Sequence, residues 1–326
     1  MVSRPLAEAD LRLARQMGMT DVVTTMTGVP MTPERVQGPA WTYIDLLHLR
    51  QRVEDAGLTL SVIEGYQLSD RITLGLPGRD EDLDRLCESI ANMGRAGIPI
   101  YCYNFMAVFN WLRTSTSVRS RGDALVTRFD AAQLADTPLT YAGETTDEQM
   151  WANFEYFLKR VLPVAEAAKV KLALHPDDPP MSPVLGLARI MRDMDAFKRV
   201  IEMADSPSNG ITFCQGNFAA MGTVDIPNAI RYFGARQKLF FAHFRDVRGS
   251  VPAFEETFHD DGKTDMAAAM RAYFDIGFDG PMRPDHAPTM EGESNDNPGY
   301  MVRGKIFAIG YMKGLIDSIQ AKEQRA

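Results

Sequence analysis

Four side chains that can bind a divalent metal lie at or near the ends of apolar runs that are far apart in the chain. His175 ends the run VKLALH, Cys214 lies in GITFCQ, His243 lies in LFFAHFR, and Asp285 lies in PMRPDH. Imidazole, thiolate and carboxylate groups together form a plausible mixed site for a divalent cation. Separations of 39, 29 and 42 residues are too long for a local motif, so only the fold can bring these groups together.

Each of these residues also has a structural explanation when it is considered alone. A histidine at a strand end is more often hydrogen-bonded than metal-bound, and a lone cysteine usually packs as a small hydrophobic residue. Cys87, on an apolar helix face, and Cys102, inside an apolar run, fit that second pattern. The metal assignment therefore depends on a repeated placement at strand ends.

The elements that must position these groups alternate along the chain. The predicted strands are 21–26, 58–65, 98–104, 170–175, 210–215, 239–245, 253–258 and 281–286. The predicted helices include 41–56, 79–96, 147–168, 266–275 and 299–320. Most strands are nearly continuously apolar, which is typical of parallel strands covered on both faces. Eight alternations predict an α/β fold, a (β/α)₈ TIM barrel in a single domain over 1–326, in which strand carboxyl ends share one rim.

The segment 105–146 breaks this rhythm, because it is far longer than the usual connection of about 4–6 residues. It follows the third predicted strand, so in a barrel it lies over the mouth. We predict that it is a lid-like insertion and that it contains a local hairpin around ALVTRFD.

Composition argues against several classes of partner. The net charge is −8, and no block of Lys and Arg appears, so the sequence predicts no nucleic-acid partner. No apolar run approaches the roughly 20 residues of a membrane span. The N-terminal segment lacks the apolar core of a secretory signal, and three well-separated cysteines are typical of a reducing compartment. We therefore expect a cytoplasmic protein with no membrane partner.

At these residues the chain resembles the mannonate dehydratase family. The resemblance rests on LALHPDDPP, GITFCQG, HFRDV, FHDDGKTDM, RPDH and GYMVRGKIFAIGYMKGL, and on GIPIYCYNFMAVFNWLRT earlier in the chain. It implies a barrel related to xylose-isomerase-like enzymes, one Mn²⁺ or Fe²⁺ per chain, and dehydration of D-mannonate to 2-keto-3-deoxy-D-gluconate in hexuronate degradation. Zn²⁺ and Co²⁺ are alternatives that the ligand types leave open. The implied metal ligands are His175, Cys214, His243 and Asp285. The implied acid/base pair is His286 with Tyr300.

Further side chains near these positions are predicted to bind the substrate: Arg245, Arg283, Asn104, Trp111, Arg113, His259 and Asp177. Arginine can hold a carboxylate in bidentate fashion, although a structural ion pair is the alternative for Arg245 and Arg283. Asp177 and Asp178 follow Pro176, and three roles are open for them. They are expected to orient His175, to contact substrate hydroxyls, or to form a solvated turn. Glu255 is a weaker candidate.

The chain departs from the family pattern in loops predicted to contact the substrate. TTMTGVPMT and EGYQLSDRIT lack the histidines usual there, and Asn110 stands where the family has an acid. Losing one hydrogen-bonding partner of a buried hydroxyl costs about 1–3 kcal/mol, so several losses predict weak or absent turnover of mannonate, with another sugar acid as substrate.

Two other functions are compatible with the same residues. A metal-dependent sugar isomerase or epimerase would use a second carboxylate near the metal, and Glu64 is placed to supply it. A diverged sugar-acid binder without catalysis is the other alternative. The sequence fixes neither the native metal nor the oligomeric state, for which a homodimer is one option.

Overall fold

The computed structural model describes residues 6–26, 39–64 and 68–323, and the chain divides into two units. Unit 1 consists of Met1–Asn110, Pro138–Asp177 and Ser182–Thr212. Unit 2 consists of Trp111–Thr137, Asp178–Met181 and Phe213–Ala326. That residues 1–326 form one domain stays a prediction.

The strands follow most of the apolar runs of the sequence. In chain order they are β1 (Asp21–Thr24), β2 (Thr59–Glu64), β3 (Ile100–Tyr103), β4 (Ser115–Arg119), β5 (Leu125–Asp130), β6 (Lys171–Leu174), β7 (Asn209–Cys214), β8 (Leu239–Phe244), β9 (Val247–Ser250), β10 (Ala253–Glu256) and β11 (Met282–Pro284). The unit boundary falls inside β7, after Thr212.

The helices begin and end close to the predicted positions. In chain order they are α1 (Glu8–Gln16), α2 (Tyr43–Asp55), α3 (Asp70–Leu74), α4 (Arg79–Arg95), α5 (Asp147–Ala168), α6 (Met194–Met203), α7 (Gln215–Ala220), α8 (Ile226–Gly234), α9 (Met266–Asp275) and α10 (Val302–Glu323). The side chains and backbones of Thr146 and Gln149 cap α5 reciprocally, as the capping-box spacing predicts. No helix among the described residues has the length and hydropathy needed to cross a membrane.

Unit 1 contains a parallel ladder in which β1, β2, β3, β6 and β7 are neighbours in that order. The residues of β3 are all buried, and so are three of the four residues of β6. Parallel strands covered on both faces have this near-continuous burial. Because the strands share one direction, Asn104 and His175 follow their strands at the same edge, and the His175 N–H donates to the Tyr103 carbonyl at 2.7 Å.

Unit 2 contains a parallel pair and a separate antiparallel sheet. In the pair, β8 lies beside β11, with Arg283 opposite His243 and Pro284 opposite Phe244. All six residues of β8 are buried. Both strands end at the same edge, so the residues that follow them, Arg245 and Asp285, leave the pair there. The antiparallel sheet has the order β4-β5-β10-β9.

The expectation of eight barrel strands is wrong for the run at 253–258. Its first four residues form β10, which pairs antiparallel with β5 and with β9 instead of joining a parallel ladder. Phe254 and Glu256 are buried, while Ala253 and Glu255 are partly exposed. Such alternation is typical of an antiparallel strand covered on one face. The described residues therefore provide seven parallel strands, β1–β3, β6–β8 and β11.

The insertion 105–146 forms the predicted hairpin. β4 and β5 pair antiparallel, and β5 contains the LVTRFD of the predicted segment. β5 also pairs with β10, with Phe129 opposite Phe254. The central part of the insertion, Trp111–Thr137, is thus built into the antiparallel sheet of unit 2. Its role as a cover stays a prediction.

Candidate active site

Three of the predicted metal ligands lie together in unit 2. Cys214 ends β7, His243 is the penultimate residue of β8, and Asp285 directly follows β11. Asp285 Oδ2 lies 3.6 Å from His243 Nδ1 and 4.0 Å from Cys214 Sγ. A ring nitrogen of His243 also lies within 4.8 Å of the thiol sulfur. All three side chains are buried. A thiol, an imidazole and a carboxylate this close together are a donor set suited to a transition-metal dication.

The protonation of this donor set differs from one side chain to the next. Burial raises the pKa of the Cys214 thiol, and Arg245 only partly offsets that effect. Burial also raises the pKa of Asp285, but Arg283, His286, His243 and Arg245 together hold it well below its usual range. The carboxylate is therefore ionised at neutral pH, whereas the thiol is protonated. Metal binding at Cys214 must release that proton.

Two arginines fix the Asp285 carboxylate. Arg283 Nη1 donates to Oδ1 at 2.7 Å, and Arg245 Nη1 donates to Oδ2 at 3.1 Å. The Arg245 side chain is only 1% exposed. It runs so close to the start of α7 that a Cβ at position 216 would overlap it, which explains the glycine there. Arg283 and Arg245 thus orient Asp285, whatever else they bind.

His286, the next residue, contacts groups on both sides of its ring. Nε2 lies 2.9 Å from Tyr300 Oη, and Nδ1 lies 2.9 Å from Glu256 Oε1. The Trp111 ring lies beside this pair, with its centroid 5.1 Å from that of His286 and 6.3 Å from that of Tyr300. Trp111 is 36% exposed and the imidazole is buried, so the indole stands at the outer side of the pair.

A buried ion cluster continues from His286. Arg113 donates to both oxygens of Asp178, at 2.6 and 3.0 Å, and to Glu256 Oε1 at 2.6 Å. Arg245 Nη1 lies 3.5 Å from Asp178, and its Nη2 lies 3.3 Å from Glu256. Burial raises the pKa values of Asp178 and Glu256, but the arginines overcome this effect and hold both below their usual range. Both carboxylates are ionised at neutral pH.

The charges of this cluster balance. The cations are Arg113, Arg245 and Arg283, and the anions are Asp178, Glu256 and Asp285. A dication bound to the Cys214 thiolate would add one net positive charge. A buried site with one net positive charge favours the binding of a monoanion.

The other predicted residue of unit 2, His259, is also buried, with 1% of its surface exposed. Burial lowers its pKa to about 4, although the nearby Asp285 carboxylate opposes that effect. His259 is therefore neutral at neutral pH. A neutral imidazole can donate or accept a hydrogen bond without adding charge.

Three predicted residues belong to unit 1. His175 Nδ1 lies 2.7 Å from the Pro176 carbonyl oxygen. A carbonyl only accepts, so Nδ1 carries the proton, and Nε2 is the nitrogen that could bind a metal in this tautomer. Asn104 donates to Asn110 Oδ1 at 3.2 Å and accepts the Met106 N–H at 3.3 Å. Asn110, where the resemblance predicts an acid, thus contacts Asn104 through its amide.

Asp177 is not in a solvated turn, because it is only 1% exposed. Its Oδ2 accepts the Met191 N–H at 2.7 Å, and Arg189 Nη1 lies 3.5 Å from Oδ1. Burial raises its pKa despite Arg189. These contacts, all inside unit 1, give Asp177 a structural role in addition to the predicted one.

Glu256 was not predicted from the sequence, and Asp178 was considered there only together with Asp177. The predicted substrate contact was Asp177, and the weaker candidate was Glu255, the neighbours of these two. Glu255 instead pairs with Arg248 at 3.0 Å and is 25% exposed. The alternation of side chains along a strand was the usable signal, since β10 must turn Phe254 and Glu256 to the same face. The loops with missing histidines, TTMTGVPMT and EGYQLSDRIT, lie partly outside the described residues, at 27–32 and 65–67.

Known structures support the fold. The crystal structure of mannonate dehydratase from Streptococcus suis serotype2 superposes with a TM-score of 0.90 at 33% identity, covering 98% of this chain and 93% of that one. L-ribulose 3-epimerase superposes with a TM-score of 0.61 at 15% identity, covering 98% and 92%. A xylose isomerase-like TIM barrel protein from Mycobacterium smegmatis gives 0.59 at 15%, covering 95% and 88%. The predicted TIM-barrel class is confirmed.

Sequence relatives give the family. A mannonate dehydratase from Streptococcus equi subsp. zooepidemicus is 36% identical over 327 residues, covering 92% of this chain and 88% of the relative. One from Thermotoga maritima is 34% identical over 343 residues, covering 94% and 93%. Residues 6–142 and 139–326 match the D-mannonate dehydratase (UxuA) family model. The chain therefore belongs to the D-mannonate dehydratase (UxuA) family.

Proposed function

We propose that the protein is a metal-dependent hydro-lyase that removes water from a sugar acid. The first candidate substrate is D-mannonate, with 2-keto-3-deoxy-D-gluconate as the product. One observation carries the proposal. The hydrogen-bonded pair His286 and Tyr300 directly adjoins Asp285, whose carboxylate approaches both Cys214 and His243. Family membership supports the same reaction.

Cys214, His243 and Asp285 would hold the metal, with His175 as the fourth ligand. The donor set fits Mn²⁺ or Fe²⁺, and the thiolate also suits Zn²⁺ or Co²⁺. The metal would supply positive charge that stabilises the carboxylate end of the substrate while the C2 proton leaves. The arginines on Asp285 keep that ligand ionised and oriented.

Arg113 and Arg245 are the side chains proposed to hold the substrate carboxylate. Nε of Arg113 and both Nε and Nη2 of Arg245 are buried and make no hydrogen bond within the described residues, although Arg245 Nη2 lies 3.3 Å from Glu256 in an ion pair. Buried donors are normally satisfied, so these three atoms are suited to an incoming oxygen. Charge balance supports an anion here, because a dication and one thiolate would leave one positive charge. His259, Arg283, Asn104 and Asp177 remain proposed substrate contacts.

His286 and Tyr300 are the proposed acid and base. Dehydration needs one group that removes the C2 proton and one that protonates the departing C3 hydroxyl. Their 2.9 Å contact lets a proton pass between them, so that the pair can return to its starting state after each turnover. Trp111 would shield this pair from water. Because water competes for both protons, its exclusion favours transfer to and from the substrate.

The test is a screen of the metal-reconstituted protein against a panel of aldonic acids, with detection of 2-keto-3-deoxy products. We expect turnover of at least one acid, and loss of that turnover in His286→Asn and Tyr300→Phe. Interconversion of sugars without loss of water would instead support the isomerase or epimerase alternative. Binding of acids without any product would support the binder alternative, and both outcomes would refute the hydro-lyase.

The value of kcat/KM for D-mannonate tests the substrate. The departures at Asn110 and in the segments TTMTGVPMT (24–32) and EGYQLSDRIT (64–73) support weak or absent mannonate turnover, with another sugar acid preferred. A value of roughly 10⁴ M⁻¹s⁻¹ or more is typical of an efficient enzyme. Such a value would refute the expected weak turnover and support D-mannonate as the substrate.

A cytoplasmic location and a homodimeric assembly complete the proposal. Cys87, Cys102 and Cys214 form no disulfide, which is compatible with a reducing compartment. Cell fractionation tests the location. Light scattering of the purified protein tests the assembly, and a monomeric mass would refute the homodimer.

A further inference from the structure

We propose that Glu256 is a positioning residue, which holds the His286 ring so that its Nε2 faces Tyr300 and the substrate. This inference rests on the function proposed above, because it assumes that His286 moves a proton. Glu256 is 2% exposed and is the last residue of β10 in the antiparallel sheet. Its neighbour Glu255 contacts Arg248 instead.

Three groups form a line of hydrogen bonds. Glu256 Oε1 lies 2.9 Å from His286 Nδ1, and His286 Nε2 lies 2.9 Å from Tyr300 Oη. A carboxylate can only accept, so this line requires a proton on Nδ1. Nε2 of the neutral ring then has a lone pair, which can accept the tyrosine hydroxyl or take a proton from the substrate.

Two arginines compete for the same nitrogen. Arg245 Nη1 lies 2.9 Å and Arg113 Nη2 lies 3.2 Å from His286 Nδ1. If either donated to Nδ1, the proton would sit on Nε2 and the ring could not act as a base towards the substrate. The tautomer of His286 therefore depends on whether Glu256 or an arginine is the hydrogen-bonding partner of Nδ1.

The hydrogen bonds of the arginines favour Glu256. Each Nη atom carries two N–H groups. Arg245 Nη1 has Asp285 at 3.1 Å and Asp178 at 3.5 Å, and Arg113 Nη2 has Asp178 at 3.0 Å and Glu256 at 2.6 Å. All four N–H groups thus have carboxylate acceptors without the imidazole. The arginines therefore do not need Nδ1 as an acceptor. Nδ1 can carry a proton and donate it to Glu256, whereas no arginine can accept that hydrogen bond.

The backbone at His286 needs such support. Its φ is +45°, in the left-handed region that side-chain-bearing residues rarely adopt. Backbone preference therefore does not maintain the ring position, and contacts such as the one to Glu256 must do so. Removing the carboxylate leaves the ring to rotate or to change tautomer.

Kinetics of Glu256→Gln test the role. The amide keeps the shape of the side chain and removes its charge. We expect kcat for the best acid of the panel to fall by roughly 10²-fold or more, while KM changes only a few-fold and the metal content stays full. Glu256→Asp keeps the charge and should recover part of kcat. Glu255→Gln, the same change one residue away, should keep wild-type kcat. An unchanged kcat in Glu256→Gln, or a change confined to KM, would overturn the proposal.

A second readout needs no catalysis. Ring ¹⁵N shifts of the wild-type protein with diamagnetic Zn²⁺ report which nitrogen of neutral His286 carries the proton, and the signal is assigned by its absence from His286→Asn. The chain has five histidines, so the spectrum contains few ring signals and that of His286 can be identified. We expect the proton on Nδ1 in the wild type, and a proton on Nε2 would overturn the proposal even if Glu256→Gln failed to fold. If the wild-type protein turned over no acid of the panel, the proposed hydro-lyase function would be refuted. The measured tautomer of His286 would still test the proposed role of Glu256.

Discussion

The Arg113 side chain offers a sharp test of the buried ion cluster, through the substitution Arg113→Met. Arg113 is 1% exposed and neutralises two carboxylates, Asp178 at 2.6 Å and Glu256 at 2.6 Å. Methionine keeps much of the apolar length and removes the charge. Arg245 remains near both carboxylates, at 3.5 and 3.3 Å, so the cluster is left with one excess negative charge.

Breaking a buried pair by removing one partner costs about 3–5 kcal/mol, because the remaining charge stays buried. The unfolding entropy near 60 °C is about 2.1 cal/mol/K per residue, which for 326 residues is about 0.7 kcal/mol/K. A loss of about 4 kcal/mol therefore lowers Tm by about 6 °C. Arg119→Met is the matched control, since Arg119 lies in β4 in an exposed pair with Asp123, and such pairs contribute about 0–1 kcal/mol.

The loss of stability in Arg113→Met should depend on pH. In the wild type the pKa values of Asp178 and Glu256 lie below those of the unfolded chain, so their contribution is present above the unfolded values and disappears as pH falls through the folded ones. Without Arg113 both pKa values rise, because its positive charge lowers each of them in the wild type. The penalty is then largest at neutral pH, and it shrinks as pH falls and the carboxylates protonate.

Thermal and urea unfolding, followed by circular dichroism with a chelator present, measure this difference at pH 7 and near pH 4, where unfolded Asp and Glu side chains begin to protonate. The chelator removes any contribution from bound metal. We expect Arg113→Met to be less stable than the control at pH 7, with a smaller gap at the lower pH. A loss below about 1 kcal/mol, or a gap that does not change with pH, would refute the reasoning, because neither fits a buried uncompensated carboxylate.

Three further outcomes are expected. Cys214→Ser and His175→Ala should each bind far less metal per chain by elemental analysis, because the remaining ligands cannot complete the coordination sphere; full metal content in both would contradict the ligand assignment. Hydrogen exchange over 105–146 should slow when a substrate analogue binds, and equal protection would count against a cover. Asp265→Ala should lower stability by about 1 kcal/mol by removing the cap on the Ala268 N–H, and an unchanged urea midpoint would exclude that role.

Local sequence patterns were sufficient to predict the positions of the long helices and of most parallel strands. The cap of α5 at Thr146 and that of α9 at Asp265 join groups only three residues apart, so the sequence contains the whole interaction. Buried parallel strands such as β6 and β8 are nearly continuous apolar runs, because both of their faces are covered. The strand-end positions of His175 and His243 follow directly from those runs.

The tertiary structure alone decided which neighbouring side chain enters the site. Glu256 rather than Glu255 contacts His286, and Asp178 rather than Asp177 joins Arg113. Both choices depend on partners far along the chain, since Arg113 meets Glu256 across 143 residues. Short-range patterns give the period of a strand but not the sheet it joins or the face that is covered. Buried charges are placed only where distant partners neutralise them, because an unpaired buried charge is too costly to persist.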